Sequence, residues 1–142
     1  MVELIISLSA LAVIVLGHSI VSYHAKLDIG SSVKQSTAAM VALLLCESWA
    51  GADGAVTYDP VSDLASGFTI SGGSGPSAPA GFTSLGSYFV AVDGTCYHAT
   101  LSSKALASTL RALNVSVAWS DRGGDPPTLD KEFCLTTYVL LD

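Results

Sequence analysis

The sequence predicts an α+β chain: a long N-terminal helix, membrane-compatible in its first half and amphipathic in its second, packed on a small antiparallel β-sheet. Three observations predict it. Leu4–Val21 is almost wholly apolar. The segment after Lys26 repeats apolar residues at three- and four-residue steps. The C-terminal half breaks into short β-rich runs separated by turn residues. The expected organisation is residues 1–25 as the membrane half, 26–52 as the amphipathic continuation and 53–142 as a globular β-rich domain.

The leading segment carries one charge, Glu3, and every other charge lies from Lys26 onward. A helix over Leu4–Val21 spans roughly 27 Å, close to the ~30 Å hydrocarbon core of a bilayer. Ser7 and Ser9 can bond back to helix carbonyls, and His18 and His24 fall where polar tips reach water. Three readings compete for the segment. A cleaved secretory signal would need a basic start, and no Lys or Arg precedes Lys26. A buried core helix would need more apolar surface around it than the rest of the chain supplies. A membrane helix continuing into an exported domain fits best. Glu3 then either sits at the headgroup level or waits for a partner, because a carboxylate in lipid is costly unless paired.

The amphipathic stretch places Val33, Met40 and Leu44, with Val41 and Leu45 alongside, on the stripe expected to face the sheet. Gly30 is a candidate bend, and Ser32-Val33-Lys34-Gln35 reads as a capping box for a fresh helix start. Gly51 and Gly54 are expected to end the run. Strands are expected at Ala55–Tyr58 and Phe68–Ile70. Ser71–Gly81 reads as a Gly/Ser/Pro-rich loop without a phosphate-loop lysine. Asp93-Gly94 between Ser87–Val92 and Thr95–Thr100 signals a tight hairpin. Ser102–Leu113 reads as a helix with Leu106, Leu110 and Leu113 on one face. Strands are expected again at Val115–Trp119 and Phe133–Leu141, with the turn-rich Asp121–Leu129 between them.

Composition excludes some function classes. Twelve acids face six bases, for a net charge of −6, and no Lys/Arg cluster exists for nucleic-acid phosphates. No GxSxG, HExxH or GxGxxG motif occurs, so the expectation is a protein without enzymatic activity, cofactor or metal. The histidines His18, His24 and His98 do not converge with acids or thiols in sequence. Asp121, Asp125 and Asp130 form an oxygen-rich loop without EF-hand spacing, read as a solvated turn in preference to a calcium site. Asn114-Val115-Ser116 matches a glycosylation acceptor by chance. The scattered aromatic residues are read as core. Of the three cysteines, Cys46 reads as a small buried hydrophobe, and a Cys96–Cys134 disulfide is the direct reading if the domain is exported.

Met1-Val2-Glu3-Leu4-Ile5-Ile6 followed by SLSALAVIVLG resembles the N-terminal helix of type IV pilins and pseudopilins, closest to the minor ones. In that family a prepilin peptidase cuts after a glycine, leaving a methylated first residue, with a glutamate four residues later. Glu3 lies two positions short of that register if Met1 is the first mature residue, so the resemblance implies a precursor that starts further upstream. It also implies a role for Glu3 in assembly, pairing with the terminal amine of a neighbouring subunit. It implies a disulfide-held terminal segment bracketed by Cys96 and Cys134. The implied partners are other pilin or pseudopilin subunits, the inner membrane, the assembly machinery and prepilin peptidase. The alternatives are a single-pass anchored binding or scaffold protein that does not polymerise, in which Glu3 is incidental, and a small anchored enzyme.

Overall fold

The structure is a computed structural model that describes residues 29–64, 69–121 and 128–141. The chain divides into two compact units, Met1–Lys34 and Gln35–Asp142. Of the first, the described residues 29–34 are helical. The span read from Leu4–Val21, with Glu3, His18 and His24, lies outside the described residues.

Helix α1 runs over Ile29–Gly51. Gly30 is already helical, so Ser32–Gln35 lies inside the helix and does not start one. Its buried residues are Ala38, Val41, Ala42, Leu45, Cys46 and Trp49, a clean i, i+3, i+4, i+7 series. This corrects the expected stripe. Val41 and Leu45 face the core, but Val33 and Met40 are exposed and Leu44 is half-buried. The deciding residues are the alanines: Ala38 and Ala42 let the helix approach the sheet closely, which a search for large apolar residues overlooks. Past Gly51 the chain turns through Asp53 and Gly54, both at positive φ, and the Gly54 N–H donates to the Trp49 carbonyl at 3.0 Å.

Ala55–Tyr58 forms turns, not the expected strand. The Trp49 indole N–H donates to the Ala55 carbonyl at 2.9 Å, and Tyr58 stacks on Trp49 with ring centroids 6.1 Å apart. Bonding to the helix end holds this segment off the sheet. A single-turn helix, α2 (Pro60–Asp63), follows, capped by Asp59, whose carboxylate accepts from the Val61 N–H. Asp-Pro at a helix start is a recognised signal: Asp59 caps and Pro60 supplies a pre-set φ at the first helical position.

Five strands make one antiparallel sheet in the order β1-β2-β3-β4-β5: β1 Thr69–Gly72, β2 Thr83–Val92, β3 Thr95–Ala107, β4 Leu110–Trp119 and β5 Lys131–Leu140. The Asp93-Gly94 hairpin forms as expected. Val92 pairs with Thr95, and both turn residues take positive φ, 47° and 75°, which only a turn of the I′ kind asks for. The expected helix over Ser102–Leu113 does not form. Those residues are the end of β3 and the start of β4, joined by a two-residue turn in which Ala107 pairs with Leu110. Leu106 is exposed while Leu113 is fully buried. Local helix propensity from Ala, Leu, Lys and Arg loses because β4 lies between β3 and β5 and fills two hydrogen-bonded ladders.

The two faces of this sheet differ in chemistry. Tyr88, Val90, Tyr97, Ala99, Leu101, Leu113, Val115, Val117 and Trp119 form one core cluster with the buried face of α1. The opposite face is a ladder of small polar side chains, with Thr100, Ser102, Asn114 and Ser116 all buried. It is covered by the loop after β1. The Gly73 N–H donates to the Ser87 carbonyl at 3.0 Å, and His98 Nδ1 lies 3.0 Å from the Ser74 carbonyl. Gly75 lies so close to β3 that a Cβ there would stand 2.5 Å from Thr100 Oγ1 and 3.0 Å from the Ala99 carbonyl. The Gly/Ser/Pro loop is therefore a strap laid on the sheet, and only a residue without a side chain fits at 75.

Candidate assembly surface

α1 is apolar on more than one side. Beyond the face locked in the core, Ile29, Val33, Met40 and Leu43 are exposed by 64, 59, 67 and 49%. By length and composition α1 is long and apolar enough to cross a membrane, yet its Ala38–Trp49 face is committed to the sheet. Shallow grooves flank its outer ridge. One, of about 240 Å³, is lined by Thr37, Met40, Val41, Leu43, Leu44, Glu47 and Val92. The other, of about 210 Å³, lies between α1 and β5 and is lined by Leu43, Cys46, Glu47, Ala50 and Leu135–Thr137. Leu43 and Glu47 border both, so they form the ridge between them. Exposed apolar surface of this kind, as at Met40 and Leu43 beside the two grooves, marks a place where another apolar surface packs.

The polar ladder is a hydrogen-bonded network. Asn114 Oδ1 accepts from Ser116 Oγ at 3.1 Å and from Ser102 Oγ at 3.4 Å, while Asn114 Nδ2 donates to Thr136 Oγ1 at 2.9 Å. Ser87 and Thr100 share a bond of 3.0 Å, and Ser116 lies 3.1 Å from Cys134 Sγ. Asn114 is thus a core polar residue, shut off from modification in the folded domain. Its signal was the alternation of Ser and Asn with Val through residues 114–117, legible as a two-faced strand.

Cys46 is buried, as expected, whereas Cys96 and Cys134 are exposed free thiols. The expected Cys96–Cys134 disulfide is absent from the structure, and the register explains why. Cys134 pairs with Ser116, which pairs with Thr100, so Cys134 sits two strands across from β3 and four residues along from Cys96. That is roughly 16 Å, against the ~7 Å limit for a bridge. Partial burial holds the Cys134 thiol above its ordinary pKa; Glu132 pushes the same way and the Ser116 hydrogen bond opposes it.

His98 packs edge-on against Phe89, with centroids 4.7 Å apart, and fastens the strap. The Asp121 N–H donates to Asp130 Oδ1 at 2.9 Å, while Asp125 lies outside the described residues. Among the described residues no group of three or more His, Cys, Asp or Glu converges on a metal-sized site. Compared with known protein families, curated proteins and solved structures, the chain matches none.

Proposed function

We propose that this chain is a structural subunit of a filament of the type IV pilin or pseudopilin kind, held together by helix packing and anchored in the inner membrane by Leu4–Val21 before assembly. The observation that carries the reading is the doubly apolar helix. One face of α1 is used up in the domain core, and a second, at Met40 and Leu43, is left exposed beside two shallow grooves. A helix that served only to cover its own sheet would be polar on its outer side. The α+β arrangement, one long helix laid on an antiparallel meander, supports the same reading. Glu3 is assigned the pairing role, since a buried carboxylate persists where an amine neutralises it.

Two substitutions test the proposal in a host that builds such filaments. Met40→Glu is expected to leave the domain folded, because the side chain is exposed, yet to exclude the subunit from filaments. Glu3→Ala is expected to permit membrane insertion while abolishing incorporation. Normal incorporation of both variants would overturn the reading in favour of an anchored scaffold that does not polymerise.

A further inference from the structure

Among the described residues β5 ends the sheet with one edge unpaired. The Leu141 N–H donates to the Thr109 carbonyl at 2.8 Å, and residues 109 and 141 continue the β4–β5 register in which Leu110 pairs with Leu140. In an antiparallel ladder, alternate residues aim both backbone groups at the same neighbour. The odd-numbered residues of β5 therefore bond to β4. Glu132, Cys134, Thr136, Tyr138 and Leu140 aim their N–H and C=O groups outward. β5 is the last strand of the sheet, so among the described residues no strand meets them. Proteins ordinarily protect such an edge with proline, a bulge or charge. β5 has no proline, its ten pairs to β4 run without a register shift, and its charges, Lys131 and Glu132, are confined to one end. Tyr138 and Leu140 are 64 and 72% exposed on one face, and Phe133, Leu135 and Val139 stand half-buried at the rim of the core on the other.

We infer that β5 pairs antiparallel with β5 of a second copy of this chain, about a two-fold axis at Thr136. This register keeps both faces continuous, because it sets even residues opposite even ones. Cys134 then faces Tyr138 of the second copy, and Phe133 faces Val139, an aromatic and β-branched pair of the favoured sort. Charge selects the same geometry. The two Glu132 side chains stand at opposite ends of the joined strands, roughly 27 Å apart, whereas a parallel pairing would set them side by side. The contact uses no residue of α1, so it stands or falls separately from the filament reading.

Cross-linking in the full-length chain, in detergent micelles, tests the inference. In a Cys96→Ser background, Tyr138→Cys is expected to give a disulfide-linked dimer with native Cys134 under mild oxidation. Within one strand these positions are ~13 Å apart and cannot join. Val139→Cys, on the opposite face from Cys134, is expected to give no more dimer than the background. Tyr138→Pro removes an outward N–H and leaves the β4 ladder intact, and should weaken dimerisation in sedimentation at least about tenfold. Tyr138→Lys should act in the same direction should the proline disturb the fold. Tyr138→Cys cross-linking no better than background, or a dimer fraction indifferent to both Tyr138→Pro and Tyr138→Lys, would overturn it. Capture of an extended peptide from another protein without self-cross-linking would also overturn it.

Discussion

The two faces of the sheet are held by opposite means. On one, α1 buries Leu45, Cys46 and Trp49 against Tyr97, Leu113, Val115 and Val117. Stability there comes from removing apolar area from water and from close packing, with large side chains at the contact. On the other, the strap brings only small apolar side chains, Pro76, Ala78, Pro79 and Ala80, and the sheet beneath it offers a hydrogen-bonded group of hydroxyls and one amide beside Phe89, His98 and Ala118. Stability there depends on every buried polar group finding its partner, since a half-satisfied network costs more than it contributes. The lesson is that β4, buried on both sides, can still alternate between Val and Ser or Asn. Burial alone does not call for apolar residues; it calls for apolar residues or completed hydrogen bonds.

Substitutions can break this contrast at its strongest point first. Trp49→Ala removes a fully buried indole that also bonds the Ala55 carbonyl and stacks on Tyr58. The expected loss is about 3–5 kcal/mol, measured by chemical denaturation. Asn114→Ala on the opposite face removes no large volume, but it strands the hydroxyls of Ser102 and Ser116. A loss of about 1–3 kcal/mol is expected, with partial rescue if Ser102 and Ser116 are both changed to Ala. A loss as large as that of Trp49→Ala would show that the strap face is not the weaker half.

Alkaline pH sharpens the contrast further, with a smaller effect. Tyr58, Tyr88 and Tyr97 all belong to the helix-side cluster, and burial, the first cause in each case, raises all three phenol pKa values above 10. Asp59 and Asp63 add to the rise at Tyr58, Asp59 at Tyr88 and Asp93 at Tyr97. The unfolded chain then releases these protons at lower pH than the folded one. Stability is complete below about pH 10 and falls as pH climbs from there through the raised folded values. A titration of the denaturation midpoint should show this decline, and Tyr58→Phe should make it shallower. An unchanged slope in Tyr58→Phe would remove Tyr58 from the account.

The elements legible in the sequence were those governed by local chemistry. Asp93-Gly94 named its own hairpin, the Gly-rich end of α1 fell where expected, and β5 was visible as a β-rich run. The misread elements were those in which distant partners outvoted local preference. Residues 102–113 have helical composition and became two strands, because β2 and β5 supply ladders on either side. Ala55–Tyr58 has β-rich composition and became turns, because Trp49 holds it. Of the candidate site, Cys46 was read as buried and is. Cys96 and Cys134 could not be placed without the register, and the exposed side of α1 was hidden because residues 38–46 are apolar at every position.

By itself the sequence determined the class of the chain: a long apolar helix leading into an acidic antiparallel domain, with one hairpin turn written in Asp93-Gly94. Short-range sterics and hydropathy suffice for that, since each acts within a few residues. Only the tertiary structure decided which side of α1 is spent on the core, which cysteines stand apart and which strand is left at the edge. Those outcomes depend on strand order and register, and each is set by contacts between residues far apart in the chain.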